Sequence, residues 1–176
     1  MTTIGVVGGG AAGTMVVTHL ARTWDARQPL SIVVYDTSAR PARGVAYSTT
    51  EPHHLLNVPA GRMSAVHDDD GHFLHWLRSR DAKSTAEDFR PRCEYGDYLA
   101  DTLADHAAAV RLVVRRCQVI GVSRAGAGVR IEHADGADRV DAVVLALGHA
   151  PPARPPAVVA PESAGYVADP WAPGAL

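Results

Sequence analysis

Three glycines near the N-terminus, Gly8, Gly10 and Gly13, follow the apolar run Ile4-Gly5-Val6-Val7 in a Gly-x-Gly-x-x-Gly spacing. Each position answers a separate physical demand. Gly8 permits a tight turn out of a strand, Gly10 lets backbone approach a pyrophosphate with no Cβ in the way, and Gly13 lets the next helix pack closely on the sheet. A helix that starts through Ala11 and Ala12 presents unpaired N–H groups and a positive dipole end to anionic phosphates. Asp36 stands at the end of the next apolar run, about 20 residues on, where a dinucleotide fold places an acid against a ribose hydroxyl. A carboxylate there repels a 2′-phosphate. The chemistry is dinucleotide binding, and the loop alone serves NAD or FAD. A glycine turn with no ligand, and Asp36 as a solvated strand end, is the competing reading.

The elements needed to position these residues are legible around them. Val6 and Val7 end a buried strand. After Gly13, apolar residues at Val16, Val17, Leu20, Ala21 and Trp24 keep helical spacing, with Thr14, Thr18 and Arg22 between them. Leu30 to Tyr35 reads as a second strand ending at Asp36. From Thr37 to about Arg92 the strand–helix rhythm lapses, and a connection of that length reads as loops over a ligand. Within it, one short helix carries Phe73, Leu74, Trp76 and Leu77, with Asp69 or Asp70 as its N-cap. A further helix is predicted over 95–109, through Leu99, Leu103, Ala107 and Val110, then a strand over 111–115. Strands over 118–123, 129–133 and 139–147, with turns at Gly126, Gly128 and Asp135-Gly136, predict a small antiparallel meander. The run Val140 to Leu147 is apolar enough for a strand buried on both faces. Beyond Gly148 stand seven prolines, which exclude a helix or central strand and predict an extended arm or linker over 151–176. The fold class is α/β, a Rossmann-like parallel sheet with an inserted antiparallel meander, as one domain over 1–150.

Composition sets bounds. An apolar fraction of 47% supplies a real core, and a net charge of −2 gives no case for nucleic acid. No segment has the length and hydropathy of a membrane span, and the N-terminus lacks signal-peptide features. Cys93 and Cys117 form no Cys-x-x-Cys pair. That suits a cytoplasmic setting, excludes a dithiol redox centre within the chain, and leaves metal binding unsupported. Nine histidines invite a catalytic reading, but His54 and His149 fit hydrogen-bonded structural roles, and His67, His72 and His75 lack metal-ligand company.

Several segments stand in a recognisable order: Gly8 to Gly13, Gly44-Val45-Ala46-Tyr47-Ser48, His54 to Ala60, Arg62-Met63-Ser64, Phe73 to Leu77, Pro91 to Leu99, Asp141 to His149, and Tyr166-Val167-Ala168-Asp169-Pro170-Trp171. Together they resemble the bacterial FAD-NAD(P)-binding proteins, two-dinucleotide-domain flavoproteins related to the N-hydroxylating flavin monooxygenases. Leu147 stands where a Thr is commoner in the family. The resemblance implies FAD at the first loop, with Gly8, Gly10, Ala11, Ala12 and Gly13 on the pyrophosphate and Asp36 on the adenosine ribose. It puts the backbone of Val119 by the adenine, with a plain core valine as the alternative. It puts Asn57, Arg62 and Met63 on the flavin side, against ordinary loop packing, and Gly148 at the end of the last strand beside the cofactor. It also implies a second glycine-rich loop for NAD(P)H after the Asp-Pro-Trp segment, and the chain ends at Leu176 before one.

The expected function is therefore the FAD-binding domain of an NAD(P)H-dependent oxidoreductase or monooxygenase-like protein. It would need a second domain or chain for the NAD(P)H site, and no catalytic residue declares itself. The alternative is a non-catalytic nucleotide-binding or interaction module, a split-enzyme subunit or a truncated remnant. A plain NAD-dependent dehydrogenase fits less well: the meander and the long loop suit flavin, and no Tyr lies four residues before Lys83, the only lysine.

Overall fold

The parallel sheet is built from four strands, β1 (Thr2–Val7), β2 (Leu30–Tyr35), β3 (Arg111–Arg115) and β7 (Ala142–Leu145), in the order β3-β2-β1-β7. All three pairings are parallel, with Val6 opposite Val34 on one side and opposite Val144 on the other. This computed structural model describes residues 1–150 together with Ala153, Val167 and Asp169. The proline-rich segment expected over 151–176 lies almost wholly outside the described residues.

Strand alternation assigns the two faces. Ile4, Val6, Leu30, Ile32 and Val34 point to one side and pack against Val17 of helix α1 (Ala11–Thr23), with Leu20 and Trp24 at the margin. Val7 and Tyr35 join the other face, where they meet Ile131, Val140 and Cys117. That second layer is an antiparallel meander of β4 (Val119–Ala125), β5 (Gly128–His133) and β6 (Gly136–Val140). Gly5 makes room for it, since a Cβ there would stand 2.5 Å from Ile131 Cδ1. The result is meander, parallel sheet and helix in three layers.

The single strand expected over 139–147 is two strands. Val140 is buried as the last residue of β6, and Asp141 turns the chain into β7. Asp141 accepts the Thr3 N–H on Oδ2 (2.7 Å) and donates its own N–H to Thr3 O (2.9 Å), which locks the corner onto β1. Nor is β7 buried on both faces. It is the last strand of the sheet among the described residues, and Leu145 and Leu147 are 57% and 68% exposed.

The stretch from Thr37 to Arg92 is more than a set of loops. It forms α2 (Gly44–Tyr47), a 3-10 turn over Ala60–Arg62, and α3 (His72–Arg78). Their apolar residues build a core of their own: Leu56, Ala60, Phe73 and Leu77 pack with Tyr95, Tyr98 and Leu99 of α4 (Arg92–Ala107). Four rings, Phe73, Trp76, Tyr95 and Tyr98, lie at centroid separations from 4.9 to 6.0 Å. The N-cap of α3 is Gly71, not Asp69 or Asp70. Asp69 serves just before it, accepting the Gly71 N–H at 3.1 Å. Helix α4 starts three residues before its expected first turn, directly after Pro91, whose fixed φ suits a helix start.

Candidate dinucleotide site

The glycine loop leaves β1 and enters α1 at the carboxyl end of the parallel sheet. Gly8 has φ +101, a conformation that L side chains rarely adopt, and a Cβ there would collide with the Ala146 carbonyl oxygen. Its N–H donates to Tyr35 O at 2.8 Å, and Val7 O accepts the Ala146 N–H at 2.8 Å. The turn is thus held from both neighbouring strands. A Cβ on Gly13 would collide with the Gly8 carbonyl oxygen, so glycine is what allows α1 to start this close to the sheet.

Gly10 is the N-cap of α1, in an extended conformation (φ −73, ψ −166), with no side-chain cap and no acidic residue in the first turn. The N–H groups that open a helix have no carbonyl partner within it. An uncapped helix N-terminus beside glycine backbone has the donors and the dipole that favour an anion. A second constraint on Gly10 is visible only in three dimensions. A Cβ there would stand 3.1 Å from the Cα of Gly44, so the segment before α2 folds down onto the loop. Ala42 donates its N–H to Gly9 O at 2.8 Å and is held at φ 74, while Gly44 takes φ 60. Ala42 is a non-glycine residue in a left-handed conformation, which costs about 1–2 kcal/mol. The buried packing around it sustains that cost.

Asp36 follows β2 and is half-buried. Its Oδ1 accepts the Ser38 N–H at 3.1 Å, and its N–H donates to Arg115 O at 3.1 Å. Tyr35 anchors it from behind. The Tyr35 hydroxyl donates to Asp138 Oδ2 at 2.8 Å, tying β2 to β6 of the meander. Burial, reinforced by that hydrogen bond, pushes the Tyr35 phenol far above its ordinary range.

The structure thus gathers Gly8, Gly10, Ala11, Ala12, Gly13 and Asp36 at the ends of β1 and β2. Gly148, exposed at φ +69, follows β7 on the other side of β1. The chain passes from β1 to β2 and β3 on one side and reaches β7 on the other, so a topological switch point falls between β1 and β7. In open α/β sheets, ligands bind at the carboxyl ends of the strands at such a point. Val119 is half-buried against the Val7 and Tyr35 cluster. Met63 packs on the second core, whose margin includes Ala11 and Met15. Arg62 is exposed and lines, with Met15, His19 and Ser64, a hollow of about 490 Å³ alongside α1. Asn57 is exposed, just after Leu56, whose N–H donates to Arg90 O. Arg62 and Met63 thus lie beside α1.

Several histidines have structural partners. His54 Nδ1 is 2.9 Å from Thr49 Oγ1, and His72 Nδ1 is 2.8 Å from the Tyr98 hydroxyl. Burial lowers the His72 pKa. Sequence reasoning missed one grouping, that of Cys117, His133 and Asp135. The signal was present in the hairpin register, because the meander pairs Val119 with His133.

Over residues 5–150 the chain matches the model of the FAD-NAD(P)-binding family. The chain belongs to that family. It is a flavoprotein domain, and FAD, expected from its motifs, is the cofactor that agrees with the family. No match is found among curated protein sequences. Among solved structures it is similar to a flavin-containing monooxygenase from Stenotrophomonas maltophilia, with 25% identity and a TM-score of 0.58 over 83% of this chain and 38% of that one. Two others share the fold at lower identity. Tmm from Pelagibacter sp. strain HTCC7211 has 16% identity and a TM-score of 0.57, over 82% of this chain and 36% of that one. S-allyl-L-cysteine S-oxygenase from Allium sativum has 18% and 0.55, over 81% and 35%. This FAD-NAD(P)-binding chain therefore spans less than two fifths of the length of these structures. No helix among the described residues is long and apolar enough to cross a membrane.

Proposed function

We propose that this chain is the FAD-holding part of an NAD(P)H-dependent oxidoreductase of the monooxygenase type, and that the NAD(P)H site comes from a further domain or a second chain. The observation that carries the reading is the uncapped N-terminus of α1 at the switch point, with glycine at the three positions where a Cβ would meet backbone. These residues fit the pyrophosphate of FAD: Gly10, Ala11 and Ala12 offer backbone N–H groups, and Asp36 offers an acceptor for the adenosine ribose. The backbone of Val119 borders the adenine in this reading, and Gly148 closes the far side of the switch point. Asn57, Arg62 and Met63 edge the flavin side in this reading. Bound FAD would supply two-electron redox chemistry, accepting hydride and passing electrons onward. The chain's own part is to bind, orient and screen the ring. Both cysteines are free thiols, which suits a reducing compartment such as the cytoplasm.

The exposed strand β7 favours a partner. Among the described residues its outer edge is unpaired, and with the exposed Leu145 and Leu147 it offers a template for one more strand, from a later segment or another subunit. The same edge supports the second reading, a non-catalytic module that docks a partner. An anaerobic reduction separates the two requirements. The FAD-loaded chain is expected to bleach with dithionite and to stay yellow for minutes with excess NADH or NADPH. Rapid stoichiometric bleaching by either nicotinamide would place a working NAD(P)H site within these 176 residues and overturn the proposal.

A further inference from the structure

We propose that Cys117, His133 and Asp135 form a binding site for a divalent transition-metal ion, with Zn²⁺ the best fit, at the seam between the meander and the parallel sheet. The site is independent of the dinucleotide reading. Its geometry follows from the hairpin. Val119 pairs with His133, which brings the residues before β4 to the end of β5, and Asp135 sits in the turn that leads into β6. One donor atom from each of the three side chains lies within 4.8 Å of the other two. Ligand atoms of a tetrahedral zinc shell stand roughly 3.5 Å apart, so small side-chain rotations complete the set.

His133 supplies the observation that points to a ligand. Its side chain is 5% exposed, and neither ring nitrogen has a hydrogen-bond partner. A polar group left unmet at that depth is destabilising, and a ligand would satisfy it. Asp138 Oδ2 lies 3.4 Å from Nε2, and that carboxylate is itself held by the Tyr35 hydroxyl and by Arg115 (2.7 Å). A carboxylate behind one ring nitrogen fixes the imidazole and frees the other nitrogen for a metal. In this proposal Nδ1 is the nitrogen left for the ion. Cys117 is buried at 8% exposure, and Asp135 is exposed at the mouth. Thiolate, imidazole and carboxylate suit Zn²⁺ better than a hard cation such as Mg²⁺. Water takes the fourth position on the open side. Binding forms the metal–sulfur bond, releases the thiol proton to solvent and changes no oxidation state.

The test uses the full chain, reduced and stripped with a chelator, and titrates it with Co²⁺ and then Zn²⁺. One equivalent of Co²⁺ is expected to give a thiolate-to-cobalt charge-transfer band and tetrahedral visible bands, both erased by one equivalent of Zn²⁺. Cys117→Ser should abolish the charge-transfer band, and Cys93→Ser should keep it. Asp135→Asn, a surface change that leaves the fold intact, should weaken Co²⁺ at least tenfold. No charge-transfer band in the folded wild type overturns the proposal. So does a band lost in Cys93→Ser, or an affinity unchanged in Asp135→Asn. Should Cys117→Ser fail to fold, the other two variants decide.

Discussion

The carboxylate of Asp36 rests against the backbone of Gly9: a Cβ built on Gly9 would stand 2.7 Å from Asp36 Oδ2. The acid at the end of β2 and the loop after β1 are therefore one surface. In the proposed function that surface holds the ribose and pyrophosphate of one dinucleotide.

Replacing the acid tests this directly. Asp36→Ala removes an acceptor for the ribose but loses only the Ser38 N–H contact inside the protein. A hydrogen bond to a charged group contributes about 1.5–3 kcal/mol. FAD affinity should fall about tenfold to a hundredfold by calorimetric titration, while the denaturant midpoint moves little.

Glycine substitutions should separate folding from binding. Gly13→Ala forces a Cβ into the Gly8 carbonyl and is expected to cost several kcal/mol, seen as loss of folded protein. Gly10→Ala meets the Gly44 Cα at 3.1 Å, a contact that a small backbone shift relieves. Thermal unfolding should show a lesser loss for Gly10→Ala, and FAD titration a clear loss of affinity.

Both strand–turn–helix ends of this site were legible in the sequence because they are local. Apolar spacing and three glycines specify β1, α1 and β2 without reference to distant residues. Ala42 and Gly44 closing on the loop were not legible, since nothing in Arg40-Pro41-Ala42-Arg43 encodes where it lands. The break at Asp141 was hidden for a related reason. Val140 and Val143 are both apolar and both packed, but in different sheets, and a continuous apolar run does not mark a change of partner. Thr14 and Thr18 read as the polar side of α1, yet they are 3% and 1% exposed. Threonine is small enough to sit in a tight helix contact.

Thr18 yields a stability prediction. Its Oγ1 is buried with no hydrogen-bond partner. Thr18→Val keeps the shape and removes an unmet polar atom, so it should stabilise the chain by about 1 kcal/mol. Equilibrium urea unfolding measures this, and a lower midpoint would contradict it.

Alkaline pH should destabilise the fold steeply. Tyr35, Tyr95 and Tyr98 all have phenols raised above 10.0, with burial the leading cause in each. In the unfolded chain they ionise near pH 10, while in the folded chain they stay protonated. Above that pH the folded state binds more protons, so stability falls as pH rises, by up to about 1.4 kcal/mol per pH unit per tyrosine. Tyr35→Phe should flatten the slope between pH 10 and 12. His72 acts at the other end: its lowered pKa means stability is lost as pH falls below 6.5.

The central claim is that this chain holds FAD at Gly8 to Gly13 and Asp36. A thermal melt of the purified chain with FAD at about a hundred times its Kd tests it most directly. Binding to the folded state alone contributes about 2.7 kcal/mol at that ratio, a rise of roughly 5–10 °C for a domain of this size. The expected result is that rise, growing with the logarithm of free FAD and shrinking in Asp36→Ala. A melting temperature unmoved by FAD, with flavin absorbance and fluorescence identical to those of the free cofactor, would contradict the claim.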